Sequence, residues 1–323
     1  MIGFLLDNAN PSIKKRIKTE ILQDLSPEED RIYQAQILEE PNIRRCLDAQ
    51  RDNGWFGEGF HGTNKHAGQF ENQETCTKYL GEKAVDKFTP ALKRSMEAFV
   101  NIPLDDLCYR TKGKIYDEFR YAANGQNLIR CACIARAGYH DMIDISQQIQ
   151  LSLDSFRRVL EVDSVLDISR TVKSSKYRVF NDYEKWPCRY HLDILAHTDS
   201  WKSEKNIQMV AASVQKMMKT DRPELIGVVP ASWVGYVLGT LGCFPSQGFR
   251  ITIPEPGSAN GSNSSDSSQL YHLEYIEWLA RCGVVPYVPA LQDAVGAISE
   301  AVDSEGVCQI PAFEDMFKCW GPY

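Results

Sequence analysis

Gln50-Arg51-Asp52-Asn53-Gly54-Trp55-Phe56-Gly57 is the stretch from which the fold is read. It follows a helical run headed by Pro41 and carrying Ile43 and Leu47, and a glycine-rich loop leads from it into a second helical run, Thr75 to Ala84. A polar, glycine-bearing segment between two periodic runs is a turn between helices. Working backwards, Ser26-Pro27-Glu28-Glu29 reads as a capping box with proline at the first helical position. Asn10-Pro11 ahead of Ile13, Ile17, Ile21 and Leu22 marks a basic helix with one apolar stripe. Working forwards, Thr89-Pro90 opens a helix through Leu92, Met96, Phe99 and Val100. Prolines so placed suit helix starts and would interrupt a sheet.

The remaining chain repeats the pattern. Residues 117–137 predict a long helix ending at Gly138, and Ser146 caps a helix whose Ile149, Leu153, Phe156 and Leu160 share a face. Residues 204–219 place Ile207, Val210, Ala211, Val214, Met217 and Met218 at helical spacing, and 231–241, 271–281 and 289–302 follow suit. Only 226–230 and 249–253 resemble strands, each closed by proline. The expected fold class is all-α. The stretch 254–269, PEPGSANGSNSSDSSQ, is too polar and too rich in Gly and Ser to bury anything, and predicts a flexible surface insertion.

Composition narrows the function classes. The 323 residues are 43% hydrophobic and 24% charged, the profile of a globular chain. With 36 basic against 43 acidic residues the net charge is −7, a field that repels nucleic acid and anionic membranes. The opening apolar run breaks at Asp7, too early for a signal-peptide core, and no run of about 18 apolar residues provides a membrane span. A cytoplasmic location is expected. The ten cysteines contain no CxxC pair and lie mostly in apolar helical runs, so buried reduced thiols are expected.

Gln50, Gly54 and Trp55 together resemble the QxxxGW repeat of the squalene cyclase and prenyltransferase superfamily. In that family the motif turns the chain between inner and outer helices of an α/α toroid, with the Gln capping a helix end and the aromatic ring packing on the next turn. A weaker echo stands at Asp303-Ser304-Glu305-Gly306-Val307-Cys308. Asn10-Pro11-Ser12, with Ile13 and Arg16, resembles the opening of bacterial members, in which a short HEAT-like helical pair leads into the toroid. The resemblance implies an N-terminal helical extension over 1–49 and a toroid of helical hairpins over 50–323, interrupted by 254–269. It does not carry the family's chemistry. There is no DxDD for polyene protonation, and Asp105-Asp106 is followed by Leu-Cys-Tyr rather than completing DDxxD. Asp182, Cys188, His191 and His197 lack the spacing of the prenyltransferase zinc site.

The residues most able to carry chemistry lie in 178–201. Pro187 should open a helix that sets Cys188 and His191 on one face at i and i+3, with Arg189 and Asp193 able to pair at i and i+4. Cys188 and His191 supply two candidate metal ligands, which makes zinc a candidate cofactor whose other ligands must come from elsewhere. Without a metal, His191 is the candidate general acid or base, oriented by Asp182, with Glu184 and Asp193 as further carboxylates able to tune it. The competing reading is a core histidine and a surface pair between Arg189 and Asp193.

Three further groups are candidate ligand contacts. Trp55, His61, His66, Glu71 and Glu74 crowd aromatic, imidazole and carboxylate groups onto a glycine-rich loop, where binding residues concentrate; turn geometry alone would also account for the glycines. Arg120, Tyr121 and Gln126 load one helix with hydrogen-bonding groups suited to a cavity or to neighbouring helix ends. Trp186, Tyr190, Trp233 and Tyr236 supply rings that wall an apolar site or simply fill the core. No GxGxxG, Walker or G-x-S-x-G spacing is present, so nucleotide binding and an α/β-hydrolase nucleophile are not expected.

The leading expectation is a noncanonical terpenoid cyclase- or prenyltransferase-like protein that takes an apolar, isoprenoid-like small molecule into a central cavity and uses general acid–base chemistry. The alternatives are a non-catalytic toroid that binds a ligand or a protein, and a carbohydrate-active lyase.

Overall fold

The segments headed by Pro11, Pro27, Pro41 and Pro90 are helices in the computed structural model, which describes residues 2–60, 70, 72–103, 121–164, 166–171, 178–180, 186–219 and 267–303. The fold is all-α. Twelve α-helices are found among the described residues: α1 (Ile2–Asn8), α2 (Pro11–Arg16), α3 (Pro27–Glu39), α4 (Pro41–Asp48), α5 (Gln73–Glu82), α6 (Pro90–Val100), α7 (Tyr121–Arg136), α8 (Ser146–Glu161), α9 (Arg189–Ala196), α10 (Glu204–Lys219), α11 (Ser267–Arg281) and α12 (Pro289–Glu300). A three-residue antiparallel ribbon not foreseen in the sequence joins β1 (Ser169–Thr171) to β2 (Arg178–Phe180), with Ser169 opposite Phe180. The expected segments 226–230, 231–241 and 249–253 lie outside the described residues, as does the expected insertion up to residue 266; its last three residues, 267–269, are not a flexible stretch but the first turn of α11.

Local chemistry sets the helix ends. Asn10 accepts the Ile13 N–H, Ser26 and Glu29 form the expected reciprocal box, and Asn72 accepts the Thr75 N–H at 2.9 Å to start α5. Two expectations shift. Ser146 is the first residue of α8 rather than its cap, and its N–H is held by the Asp144 carboxylate at 2.9 Å. The stripe Ile13, Ile17, Ile21, Leu22 does not stay on one face. The chain passes from α2 into a π-helical turn, Ile17–Leu22, that ends at Gln23 with φ 55°, leaving Ile21 exposed.

The chain divides into two compact units: Met1–Cys108 with Arg136–Tyr139 and Val302–Tyr323, and Tyr109–Ala135 with His140–Ala301. In the first unit, α4 and α6 bury one face each, whereas α5 is buried at every position from Gln73 to Leu80. In the second unit, α8, α10 and α12 are one-sided, whereas α9 is buried except at His191, and α11 buries Leu273, Glu274, Tyr275, Ile276, Trp278 and Leu279. The described side chains of α7 are buried from Cys131 to Arg136. Deep and one-sided helices thus alternate from α4 to α6 in the first unit and from α7 to α12 in the second, whereas α1 to α3 bury at most one residue each. A helix buried all round is expected to be apolar, yet α5 carries Gln73, Glu74, Thr75, Thr77 and Lys78.

The turn after α4 shows why its residues are what they are. Gln50 Nε2 donates to the Gly54 carbonyl at 2.9 Å and to the Ala91 carbonyl in α6 at 2.7 Å, so one amide closes the turn and pins it to the next one-sided helix. Arg94 donates to the carbonyls of Arg51 and Asp52 at 2.7 and 3.1 Å. Gly54 has φ +90°, and a Cβ there would meet the Ala98 Cβ at 2.8 Å; the position requires glycine on both counts.

Candidate functional site

All seven buried charged side chains among the described residues lie on the deep helices or at their ends: Glu74 and Lys78 on α5, Lys83 capping it, Arg136 ending α7, Arg189 and Asp193 on α9, and Glu274 on α11. Removing a charge from water costs several kcal/mol unless it is paired; six of the seven have an oppositely charged partner within their own unit, and Asp193 has the His197 imidazole. Lys78 Nζ is 2.8 Å from Glu74 Oε1, Lys83 Nζ is 2.6 Å from Glu40 Oε2, and Arg136 bonds Glu82. Arg189 Nη2 is 2.8 Å from Glu274 Oε2, and Asp193 Oδ1 is 3.1 Å from His197 Nδ1.

The richest group is in the second unit, where α9 packs on α11. The Arg189 guanidinium sits 5.7 Å from the centroids of both the Tyr190 and the Trp278 rings while bonding Glu274, an arrangement in which π faces and a carboxylate share the solvation of one cation. Tyr275 stands edge-on to Trp278 at 5.7 Å. The pair expected between Arg189 and Asp193 is replaced by two others, because α11 presents Glu274 to Arg189 and the α9 C-cap residue His197 turns back onto Asp193.

Cys188 and His191 do come together, as a helix cap. Pro187 does not begin the helix; Cys188 is the N-cap, two residues later than Trp186. His191 Nδ1 accepts the Cys188 N–H at 2.9 Å, and the Cys188 side chain faces the His191 N–H in return. A neutral imidazole that accepts at Nδ1 carries its proton on Nε2. The residue is half-buried, and burial pushes its pKa down to about 4; the Nδ1 hydrogen bond acts in the same direction. In this arrangement His191 is a neutral hydrogen-bond donor through Nε2. Acting as a base there requires the Cys188 bond to break first.

The other expected residues separate by place. Trp55 is half-buried with its ring 6.2 Å from Phe60, which stands 6.2 Å from Phe99, and Glu74 is the buried partner of Lys78; all belong to the first unit. Trp186 and Tyr190 are buried in the second unit. Tyr121 and Gln126 lie on α7. His61, His66, Glu71, Arg120, Asp182, Glu184, Trp233 and Tyr236 fall outside the described residues. Among the described residues no three His, Cys, Asp or Glu side chains converge as metal ligands, and no helix is long and apolar enough to cross a membrane.

Several residues of these clusters escape sequence reasoning. Glu74 and Lys78 are legible as an i,i+4 pair, but Glu274 lies 85 residues from Arg189 and has no local signal. Gln73 is also hidden: its Oε1 accepts the Phe56 N–H at 2.9 Å, and its amide donates to Thr77 at 3.1 Å and to Ser95. No protein-family model, curated protein or solved structure matches the chain.

Proposed function

We propose that this chain is a noncanonical member of the terpenoid cyclase and prenyltransferase superfamily, an α/α toroid, that receives a neutral, largely apolar, isoprenoid-like small molecule in the cytoplasm. The alternation of deep and one-sided helices, and the double hydrogen bond of Gln50 across its turn, support the toroid. The observation that carries the ligand class is the charge balance: among the described residues, Glu74, Lys78, Lys83, Arg136, Arg189 and Glu274 each have an oppositely charged partner. A diphosphate needs unneutralised Arg or Lys groups, or carboxylates holding divalent cations. Paired charges lined by Tyr190, Tyr275 and Trp278 suit a neutral molecule with one or two polar atoms.

On this reading His191 orients the ligand by donating from Nε2 to an oxygen, and acid–base turnover through His191 would require its cap to open. Native purification followed by organic extraction and mass spectrometry tests the ligand class. A stoichiometric neutral lipid is the expected result. A bound diphosphate or an oligosaccharide would overturn the reading, the latter in favour of the lyase alternative.

A further inference from the structure

Asn53-Gly54 sits at the tip of the turn after α4, with Asn53 exposed to solvent. An asparagine followed by glycine carries its own electrophile and nucleophile, the side-chain amide carbon and the next backbone nitrogen, which no Cβ shields. The turn holds both groups. The Gly54 N–H donates to the Arg51 carbonyl at 2.9 Å, and Asn53 Oδ1 accepts the Trp55 N–H at 3.0 Å. The Arg51 N–H donates to the Trp55 carbonyl at 2.8 Å and Gln50 stands opposite Phe56, so the tip is a three-residue hairpin loop with its glycine at φ +90°. A five-membered ring between the Gly54 nitrogen and Asn53 Cγ closes only if the Asn53–Gly54 peptide rotates until that nitrogen eclipses the Asn53 Cβ. In a turn whose Gly54 N–H points back at Arg51, the nitrogen is turned away from Cβ.

We infer that Asn53 is a self-modification site gated by this turn: the closed turn keeps the asparagine intact, and the open turn lets the chain convert it to aspartate or isoaspartate. Opening an exposed loop costs far less than unfolding the chain. In the open turn the Gly54 nitrogen gives up its proton and attacks Asn53 Cγ. A C–N bond forms, and the side-chain nitrogen leaves with that proton as ammonia. One water then opens the succinimide. Cleavage of the bond from Cγ to nitrogen leaves aspartate, and cleavage of the original peptide bond leaves isoaspartate, with no change of oxidation state in either. The two products act differently on the turn. Aspartate keeps an oxygen for the Trp55 N–H and brings a negative charge near Arg94, which bonds the Arg51 and Asp52 carbonyls. Isoaspartate inserts a methylene into the main chain, which displaces the Gly54 carbonyl from Gln50 Nε2 and Gly54 itself from its close fit against Ala98. The turn then no longer closes as before, so the modification marks chains in which it has opened.

The test incubates the full-length protein at pH 8 and 37 °C, folded or in guanidinium chloride, and maps tryptic peptides for a gain of about one mass unit at Asn53, with isoaspartate separated from aspartate by retention. In denaturant, Asn53 and Asn260, each followed by glycine, should convert at similar rates. In the folded wild type, conversion at Asn53 should be at least tenfold slower than in denaturant, and in folded Gln50→Ala it should be several-fold faster than in folded wild type. The isoaspartate fraction should melt below the wild type, whereas Asn53→Asp should not. The wild-type comparison needs no variant: equal rates at Asn53 in folded and denatured protein, or a denatured chain that leaves Asn53 intact, overturn the inference. Gln50→Ala that folds and converts no faster than wild type also overturns it, as does an isoaspartate fraction that melts with the wild type.

Discussion

Arg189 on α9 and Glu274 on α11 form an ion pair at 2.8 Å with side chains only 9% and 4% exposed, and the arginine lies beside the Tyr190 and Trp278 rings. Truncating one member leaves the other charge buried, so Arg189→Met or Glu274→Leu alone should cost about 3–5 kcal/mol. Replacing both with apolar residues of similar volume should recover most of that loss. Urea unfolding of the two single variants and the double variant measures the coupling; losses that simply add would show the pair to be independent.

Glycine positions give predictions of opposite sign. At Gly81 an added Cβ would lie 2.3 Å from the Arg136 carbonyl oxygen, and at Gly54 the strain of φ +90° adds to a 2.8 Å approach to Ala98. Gly81→Ala and Gly54→Ala should each destabilise by roughly 2–3 kcal/mol. Gly296, within α12, has nothing within 4 Å of its added Cβ. Gly296→Ala should therefore stabilise by about 1 kcal/mol through helix propensity. Thermal melts of the three variants read all the signs at once.

Gln50→Ala removes the bonds to Gly54 and Ala91 together. A loss of about 2 kcal/mol is expected, since each bond contributes about 1 kcal/mol. Hydrogen exchange should quicken in the 50–57 turn and at the start of α6 before it changes in α8 or α10.

His191 gives a pH signature. Its pKa is about 4 in the folded protein against an ordinary value of 6.5, so the unfolded chain binds the proton more readily between those values. Its contribution to stability is fully present above pH 6.5 and is lost as pH falls towards 4. His191→Asn keeps an acceptor for the Cys188 N–H but does not titrate. Stability measured from pH 7 to pH 4 should decline less steeply in that variant than in the wild type; equal slopes would remove His191 from the account.

Much of the fold is legible in the sequence because its signals are local. Pro27, Pro41 and Pro90 each stand at a first helical position, and Ser26 with Glu29 makes the box their spacing predicts. Gln50 and Gly54 could be singled out as a turn, although the bond to Ala91 depends on α6 lying beside it. The cluster around Arg189 was legible only in part. Periodicity places Cys188 and His191 together, but it assigns Arg189 the nearest carboxylate in sequence. The nearest in space comes from α11, and tertiary packing rather than helical spacing decides the partner. Burial of α5 was likewise hidden, because Glu74 reads as part of the glycine-rich loop and nothing local shows that Gln73 and Glu74 find buried partners.

The most direct test of the neutral-ligand claim is tryptophan fluorescence titration of the purified, ligand-stripped protein with farnesol and with farnesyl diphosphate, at one ionic strength and without added divalent cation. Saturable quenching by farnesol, with diphosphate binding at least tenfold weaker and no gain for the diphosphate when magnesium is added, is the predicted result. Tighter binding of the diphosphate, or a magnesium-dependent preference for it, would contradict the reading of the buried charges as balanced for a neutral ligand.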